Sequence, residues 1–348
     1  MKKTVCILFG GKSTEYEVSL LSTASVLENL DYNAYDVITL GITKEGKWLL
    51  YSGDIESIKN GSWAEHDVSD AVILPDRTKK CILNIKTGEE IKIDAVFPVI
   101  HGAYGEDGTL QGLLTLAEIP YVGPGVLSSG ICLDKWYSKI VFEAAGIPQA
   151  KCYMKTKTEI LSDFNCVIEL EQKLTYPIFI KPANTGSSVG ITKAHDREEL
   201  ITGTKEALNY DNKVVFEEFI DCREVETAVL GNENPQVAVV GEVVPGKEFY
   251  DYEAKYQDHS LKIMVPAPLD KKVSEQIREY AKIAYRAANC KGLSRIDFFI
   301  DKQNGNIYLN EINTIPGFTS VSMYPMLFAE YGIPYQKLLS ELIECASF

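Results

Sequence analysis

The sequence predicts a mixed fold, in which an α/β unit built on an open parallel sheet is followed by α+β units. Its 348 residues exceed the size at which one hydrophobic core keeps growing, so about two or three domains are expected. Residues 2–30 read as a strand, a glycine turn and an amphipathic helix, which is how an α/β unit begins. Strands beyond residue 170 instead come in pairs, and this favours α+β domains.

The first third of the chain alternates strands with helices. Short apolar strands are predicted at 35–43, 94–100 and 119–123, with a helix at 109–118 between the last two. Such alternation favours an open parallel sheet. The segment 43–92 is more polar and richer in turns, and we expect it to add hairpins or insertions to that sheet.

The rest of the chain reads as paired strands with helices between them. Two strand pairs are predicted, 177–183 with 187–194 and 214–220 with 224–231. A helix at 197–209 separates the pairs. A loop rich in glycine and tyrosine (245–260) then precedes a helix at 273–289, a hairpin at 294–313 and a final helix. The two strand pairs and the helix between them are expected to form a smaller mixed α+β domain.

The bulk composition predicts a soluble, cytoplasmic protein. Hydrophobic residues make up 45% of the chain, and neither a long apolar run nor a signal-peptide pattern is present. The formal net charge of −14 repels polyphosphate, which argues against nucleic acid or an anionic membrane as a partner. The eight cysteines are scattered without a C-x-x-C pair, so neither zinc nor disulfide bonds are expected.

The hairpin at 294–313 carries the first candidate site. Because side chains alternate between faces, Arg295 and Asp297 should share one face, as should Leu309, Glu311 and Asn313. Folding about the turn "DKQNGN" places Asp297 roughly opposite Glu311, which costs on the order of 0.2 to 1 kcal/mol. A bound cation would reverse that sign, and oxygen donors of this kind suit Mg²⁺. The alternative is a solvated polar end of a strand.

A glycine-serine hairpin at 179–193 is a candidate anion site. Backbone amides and the hydroxyls of Ser187 and Ser188 would form a concave surface, with Lys181 supplying a point charge. The spacing G-x-x-x-x-G-K-[ST] is absent, so this is not a Walker loop. The alternative is an ordinary turn.

Three further charged residues are candidates for a nucleotide site. Lys135 offers a second positive charge for the same anion. Glu217 and Glu224 could accept hydrogen bonds from an adenine amino group and a ribose hydroxyl. For all three, a solvated charge is the alternative expectation.

Seven separated motifs together resemble D-alanine–D-alanine ligases of the ATP-grasp superfamily. They are, in chain order, "GGKSTEYEVS", "HGAYGEDGTLQG", "LDKWYSK", "FIKPANTGSSVG", "EFYDYEAKY", "SRIDFFID" and "NEINTIPGFTSVSMYP". The resemblance covers nearly the whole chain. It implies an ATP-grasp fold with an N-terminal Rossmann-like parallel-sheet domain. The implied domains are an N-terminal α/β domain (1–122), a central ATP-grasp subdomain (123–220) and a C-terminal ATP-grasp subdomain (221–348).

The resemblance also implies a reaction. ATP would phosphorylate the carboxylate of one D-alanine, and the amine of a second D-alanine would attack the acyl phosphate to give the dipeptide used in peptidoglycan synthesis. Carboxylate oxygen is a poor leaving group, which is why it is activated in this way. The family further implies two Mg²⁺ ions, with Mn²⁺ as a substitute, and a homodimer.

The resemblance assigns nucleotide and metal contacts to particular residues. The implied magnesium ligands are Asp297, Glu311 and Asn313. The implied ATP contacts are Lys135, Lys181 and Ser188 at the phosphates, Glu217 and Glu224 at the adenosine, and the backbone of Glu218, Phe219 and Ile220.

Substrate contacts are implied in the same way. Glu15 would pair with the ammonium group of the first D-alanine, in a triad with Ser187 and Tyr256, although the macrodipole favours a carboxylate at a helix N-terminus in any case. The implied oxyanion donors are Arg295 and the backbone N–H of Gly317. Contacts to the carboxylate of the second substrate would come from Lys255 and Ser322. His101 would lie near the first substrate, with a structural hydrogen bond as the alternative.

Two stretches bear on the second substrate. The segment "FYDYEAKYQD" (249–258) resembles the closing lid of dipeptide-forming members, which excludes water from a reactive intermediate. Members that accept D-lactate have a histidine in that loop, and His259 is displaced from the tyrosine position. Met323 stands where members that accept D-serine or D-lactate tend to have arginine. Both features favour D-alanine, with D-serine and D-lactate as alternatives.

Two other classes of protein fit less well. A non-catalytic nucleotide sensor on the same scaffold would be expected to lose Arg295, a magnesium ligand or the lid lysine, and the chain has all of them. An NAD-dependent oxidoreductase would need G-x-G-x-x-G after the first strand, which is absent.

Overall fold

The computed structural model describes residues 2–244 and 262–347. In this part of the chain the strands form three sheets, of seven, four and five strands. The first sheet has the order β6-β5-β4-β3-β2-β1-β7. Its strands are β1 (Lys3–Gly10), β2 (Tyr35–Ile42), β3 (Trp48–Tyr51), β4 (Val68–Ile73), β5 (Cys81–Asn84), β6 (Glu90–Lys92) and β7 (Ala95–Val99).

The parallel part of this sheet is confirmed only at one end. β1 pairs in parallel with β2 and β7, whereas the strands from β3 to β6 are added in antiparallel fashion. The segment 43–92 therefore forms hairpins that extend the sheet, as its turn-rich sequence predicts. The strand expected at 119–123 is reduced to isolated bridges from Tyr121 to Val96 and Ser347. Buried on both sides, β1 has the nearly continuous apolar sequence of a central parallel strand.

Helices α1 (Tyr16–Asn29), α2 (Ile55–Asn60) and α3 (Thr109–Leu116) accompany the first sheet. Helices α4 (Val126–Leu133) and α5 (Lys135–Ala144) lead to the second sheet. Asp134 caps α5, because its carboxylate accepts hydrogen bonds from the backbone N–H groups of Trp136 and Tyr137. This cap fixes where α5 begins and therefore where Lys135, its first residue, is placed.

The second sheet is antiparallel, with the order β10-β9-β11-β8. Its strands are β8 (Cys152–Thr156), β9 (Ile178–Pro182), β10 (Thr192–Ala194) and β11 (Lys213–Glu218). The short helices α6 (Lys157–Ser162) and α7 (Asn165–Ile168) follow β8, and α8 (Arg197–Ala207) covers β9 and β10. The predicted pairing of the segments 177–183 and 187–194 is confirmed by the β9–β10 ladder.

The third sheet is also antiparallel and has the order β14-β13-β12-β15-β16. Its strands are β12 (Cys222–Leu230), β13 (Gln236–Val244), β14 (Lys262–Met264), β15 (Leu293–Asp301) and β16 (Ile307–Asn313). Helices α9 (Lys271–Ala287), α10 (Met323–Tyr331) and α11 (Tyr335–Glu344) complete the described residues. The predicted pairing of 214–220 with 224–231 is wrong. β11 and β12 lie in different sheets because each has two other partners, β8 and β9 for β11 and β13 and β15 for β12.

The last helices return to the first sheet. Phe318 and residues of α10 and α11 share one buried cluster with β1 and α1. Lys3 forms an ion pair with Glu344 at 2.6 Å, and Ser347 bridges to Tyr121. The predicted domain boundaries after residues 122 and 220 stay predictions. Among the described residues, no helix is both long and apolar enough to cross a membrane.

Candidate active site

The hairpin of β15 and β16 has the predicted register. Asp297 lies opposite Glu311, and Arg295 lies opposite Asn313. The ladder shifts immediately after Asp297, so that the next pair is Phe298 with Leu309 and one residue of β16 is extra. Charged and amide side chains of both strands therefore meet at the end of the hairpin that lies away from its turn.

The bulge corrects one prediction about the faces of β16. Leu309 does not share a face with Glu311 and Asn313, but packs in the same buried cluster as Ile307 and Ile312. The extra residue changes the phase of side-chain alternation by one. As a result the apolar residues of β16 all face the core, while Glu311 and Asn313 are half-buried on the other side.

Arg295 is held by two carboxylates. Its Nε and Nη2 donate to Oδ1 and Oδ2 of Asp297 at 2.8 and 2.6 Å, and Nε lies 2.9 Å from Oε2 of Glu226 on β12. Asn313 also donates from Nδ2 to Asp297 at 2.9 Å. Burial on its own lowers the pKa of Arg295, but Asp297 and Glu226 outweigh it and raise that pKa above its ordinary value. Arg295 is therefore a fixed, buried positive charge.

The donor set at this hairpin suits a hard cation. The described residues hold no cluster of three or more histidine, cysteine, aspartate or glutamate side chains that could bind a metal by themselves. Asp297, Glu311 and Asn313 do bring two carboxylates and an amide to one strand end. Mg²⁺ typically takes one or two carboxylates and completes its shell with water and substrate phosphates. The residues therefore fit such an ion when it arrives with a nucleotide.

A buried ionic group lies between α5 and the second sheet. Glu217 on β11 accepts a hydrogen bond from Lys139 at Oε1 (2.8 Å) and one from Lys181 at Oε2 (2.5 Å). The side chains of Glu217 and Lys139 are only 3% and 7% exposed. Burial opposes ionisation of Glu217, yet the two lysines lower its pKa to about 2. The expectation of an exposed charge at Glu217 is therefore wrong.

Lys135 adds a third positive charge at this place. It precedes Lys139 by one helical turn on α5, so both lysines point to the same side. Its Nζ donates to the backbone carbonyl of Thr185 at 2.5 Å. Burial, and then the charge of Lys181, lower the pKa of Lys135, although Glu311 opposes this. We call Lys135, Lys139 and Lys181 the lysine cluster. Its three positive charges exceed the single negative charge of Glu217, and this excess suits an anionic ligand.

The turn between β9 and β10, residues 183–191, is called the glycine-serine loop. Ser187 and Ser188 both adopt positive φ, of 49° and 58°. The Ser187 hydroxyl donates to Oε1 of Glu15 at 2.5 Å. It is thus directed to a carboxylate at the start of α1, and not outward as an anion ligand would be. This contact joins the second sheet to the first.

Two glycines make room for the carboxylate of Glu15. A Cβ added to Gly102, where φ is +73°, would lie 2.7 Å from Oε2 of Glu15, and one added to Gly186 would lie 3.2 Å from it. Glu15 stands at the N-cap position of α1 without a capping hydrogen bond from its side chain. Its carboxylate is therefore directed into the space between the two glycines instead of onto its own helix.

His101 is buried beside Glu15. Its Nδ1 lies 2.9 Å from the carbonyl oxygen of Ile315, and its Nε2 lies 3.3 Å from Oγ of Ser22. Oε1 of Glu106 lies 3.9 Å from Nδ1. Burial lowers the pKa of His101, but Glu106 outweighs it and the pKa is raised. His101 thus makes structural hydrogen bonds, as the alternative expectation had it. Its role toward a substrate stays a prediction.

The segment after β16 brings Gly317 and Ser322 close together. A Cβ on Gly317 would lie 2.8 Å from Oγ of Ser322, which in turn contacts the N–H and the hydroxyl of Thr319 at 3.0 and 2.7 Å. Met323 is 6% exposed and packs against Gly241 of β13. The proposed roles of these residues toward substrates stay predictions.

Near the end of β11, an aromatic residue is exposed. Phe219 is 38% exposed, and its ring lies 6.2 Å from that of Phe179 and 4.2 Å from Nζ of Lys193. Glu218 accepts a hydrogen bond from the backbone of Lys151 at 2.7 Å. Ile220 and Glu224 are both partly buried, on the connection to β12 and on β12 itself. Lys255, Tyr256, His259 and the predicted lid fall outside the described residues.

Three residues of this region are absent from the sequence-based predictions. Lys139 stands four positions after Lys135, a spacing that places both on one helix face. Glu226 stands two positions after Glu224 and pairs in register with Asp297. Glu106 lies in the motif "HGAYGEDG". These spacings were visible in the sequence, but only the packing shows what each residue contacts.

The chain matches family models along most of its length. Residues 4–124 match the one described as "D-ala D-ala ligase N-terminus", and residues 141–344 match "D-ala D-ala ligase C-terminus". A D-alanine–D-alanine ligase of Acetivibrio thermocellus is 51% identical, over 99% of this chain and 96% of that protein.

Solved structures agree with this match. The VanG D-Ala:D-Ser ligase from Enterococcus faecalis is 41% identical, with a TM-score of 0.92 and 99% of both chains covered. The D-alanine–D-alanine ligase from Coxiella burnetii is 32% identical, with a TM-score of 0.87 over 99% of this chain and 93% of that one. The predicted ATP-grasp fold is thereby confirmed. With both halves matched and full-length relatives near 50% identity, the chain belongs to the D-alanine–D-alanine ligase family.

Proposed function

We propose that this chain is an ATP-dependent D-alanine–D-alanine ligase that acts through a D-alanyl phosphate and supplies the dipeptide for peptidoglycan synthesis. The observation that carries the proposal is the hydrogen bond from Ser187 to Glu15. It closes the glycine-serine loop over the start of α1. The same loop thus contacts a carboxylate suited to an amino acid, through Ser187, and the lysine cluster suited to phosphates, through the carbonyl of Thr185.

The first D-alanine binds with its ammonium group at Glu15. Gly102 and Gly186 keep the space around that carboxylate open. Ser187 fixes the orientation of Glu15, and Tyr256 of the lid completes the triad. His101 lies close to this position and is held by its own hydrogen bonds.

ATP binds along the second sheet. Lys135, Lys181 and Ser188 contact its phosphates, while Glu217, Glu224 and the backbone of 218–220 contact the adenosine. A carboxylate oxygen of the first D-alanine attacks the γ-phosphorus, and ADP leaves with the electrons of the broken P–O bond. Fixed positive charges stabilise the charge that develops on the phosphates. Asp297, Glu311 and Asn313 would hold Mg²⁺, or Mn²⁺, which neutralises phosphate charge when it is bound.

The amine of the second D-alanine then attacks the carbonyl carbon of the acyl phosphate. Arg295 and the N–H of Gly317 donate to the oxygen on which negative charge develops. Phosphate leaves with the electrons of the broken C–O bond and takes up the proton that the amine loses as the amide forms. Lys255 and Ser322 bind the carboxylate of the second D-alanine, Met323 lines that side, and the lid excludes water.

The proposal also covers the domain boundaries and the oligomeric state. The domains are residues 1–122, 123–220 and 221–348, and the adenine lies between the last two. The protein works as a cytoplasmic homodimer and binds neither nucleic acid nor membrane. The net charge of −14 supports this last point.

A second candidate is a ligase that joins D-alanine to D-serine, with D-lactate as a further acceptor. It is supported by the VanG D-Ala:D-Ser ligase, which is 41% identical to this chain. Relatives with higher identity are named D-alanine–D-alanine ligases. We therefore place D-alanine first.

One assay separates these candidates. Phosphate release is measured with ATP and Mg²⁺ and D-alanine alone, then with D-serine or D-lactate added, and the products are identified by mass spectrometry. Assays without ATP, and with EDTA, serve as controls. We expect D-alanyl-D-alanine as the main product. A main product containing D-serine or D-lactate would overturn the acceptor assignment, and no release with any acceptor would overturn the ligase itself.

A further inference from the structure

Lys139 is a buried charge, at the proposed nucleotide site, that the proposed mechanism leaves unused. It lies on α5, is 7% exposed, and contacts Glu217 on the second sheet. A lysine on an amphipathic helix usually extends its charge into water. This one instead turns its charge toward the interior, where an ammonium group is costly unless it is paired.

The two oxygens of Glu217 are divided between two lysines. Oε1 accepts from Lys139 and Oε2 accepts from Lys181. Lys181 and Glu217 occupy neighbouring strands, two positions apart in register, so they lie on the same face of the sheet. Lys139 reaches that face from the helix above. Neither lysine competes with the other for the same oxygen.

This division matters when an anion arrives. A phosphate that binds Lys181 draws on the positive charge of the ammonium group that donates to Glu217, and so weakens that contact. If Glu217 had Lys181 as its sole counter-ion, loss of that contact would leave a buried carboxylate uncompensated, which is strongly unfavourable. With Lys139 in place, 2.8 Å from Oε1, Glu217 would still have a positively charged partner.

We infer that Lys139 is a positioning residue for nucleotide binding, because it compensates Glu217 and so releases Lys181 to the phosphates. The inference rests on the proposed binding of the ATP phosphates by Lys135 and Lys181. Lys139 needs no contact with the nucleotide in this scheme. It acts on ATP only through Glu217 and Lys181.

The test measures binding of ADP with Mg²⁺ by isothermal titration calorimetry, for the wild type and Lys139→Met. Methionine keeps most of the side-chain volume and removes the charge. We expect affinity to fall about 10- to 100-fold, the range for losing a charged hydrogen bond. Lys205→Met, at an exposed position on α8, is the matched control and should bind as the wild type does.

A double-variant cycle tests the route through Glu217. Glu217→Gln removes the charge that Lys139 compensates, so adding Lys139→Met to it should change ADP affinity by no more than about twofold. A merely structural role of Lys139 would give the same loss in both backgrounds. If Lys139→Met alone does not fold, judged by circular dichroism, the comparison of Glu217→Gln with the double variant still decides.

The outcomes are distinct. Wild-type protein that binds no ADP would overturn the proposed function. If the wild type binds ADP and Lys139→Met binds it with the same affinity, the role of Lys139 is overturned while the proposed function stands. The same holds if Lys139→Met lowers ADP affinity equally in the wild-type and Glu217→Gln backgrounds. In parallel, the KM for ATP should rise in Lys139→Met more than the KM for D-alanine, because the effect lies on Lys181.

Discussion

Asp297 and Glu311 lie directly opposite each other on β15 and β16, while Arg295 donates two hydrogen bonds to Asp297. Because Arg295 compensates the charge of Asp297, the repulsion between Asp297 and Glu311 is reduced. Glu311 is close enough to Lys135 to oppose the lowering of the Lys135 pKa by burial. The hairpin and the lysine cluster therefore belong to one electrostatic unit, in which a cation and a polyphosphate would complement each other.

Replacing Glu311 with glutamine removes one charge at almost constant volume. We expect phosphate release to fall by about 100-fold or more, since an electrostatic contact to the reacting phosphates is lost. The melting temperature should change little, because the side chain is only half-buried. Glu330→Gln, on the exposed side of α10, is the control. Activity near that of the wild type in Glu311→Gln would contradict the magnesium assignment.

Gly102→Ala tests the space around Glu15. Its Cβ would lie 2.7 Å from the carboxylate, whereas Gly88, with the same φ of +73°, has no atom within 4 Å of an added Cβ. Both substitutions should cost about 1 kcal/mol of unfolding free energy for the positive φ. Only Gly102→Ala should lower kcat/KM for D-alanine, by about tenfold or more, because it displaces Glu15. Equal values of kcat/KM for D-alanine in the two variants would contradict the proposal that Glu15 binds the substrate.

The lowered pKa of Glu217 predicts how the free energy of unfolding depends on pH. The two lysines lower its pKa in the folded state to about 2, from an ordinary value of 4.5. Its contribution is therefore fully present above about pH 4.5 and is lost as pH falls toward 2, with a size on the order of 3 kcal/mol. Denaturant unfolding between pH 6 and pH 2.5 should show Glu217→Gln much less stable than the wild type at pH 6, and a smaller difference at pH 2.5. A constant difference would contradict this ionisation.

The sequence predicts best those features that local rules control. The turn "DKQNGN" fixes the hairpin, so counting residues places Asp297 roughly opposite Glu311, and the bulge supplies the last step of that register. The N-terminal strand, turn and helix follow from their apolar spacing in the same way. The two strands next to β1 are parallel as predicted.

The remaining features depend on long-range packing. A bulge in β16 reverses the face of Leu309, and no residue type marks its position. Glu217 is buried because two lysines from separate elements reach it, and a single stretch of sequence cannot show this. Likewise, β11 and β12 are adjacent in the chain but join different sheets.

The return of α11 to the first sheet has a consequence for synthesis on the ribosome. Residues of α11 complete a hydrophobic cluster that also contains β1 and α1. The earliest part of the chain to emerge must therefore wait, with apolar surface uncovered, until residues 335–344 have left the exit tunnel. Nascent chains stalled before that point should retain chaperones, and release should coincide with docking of this helix.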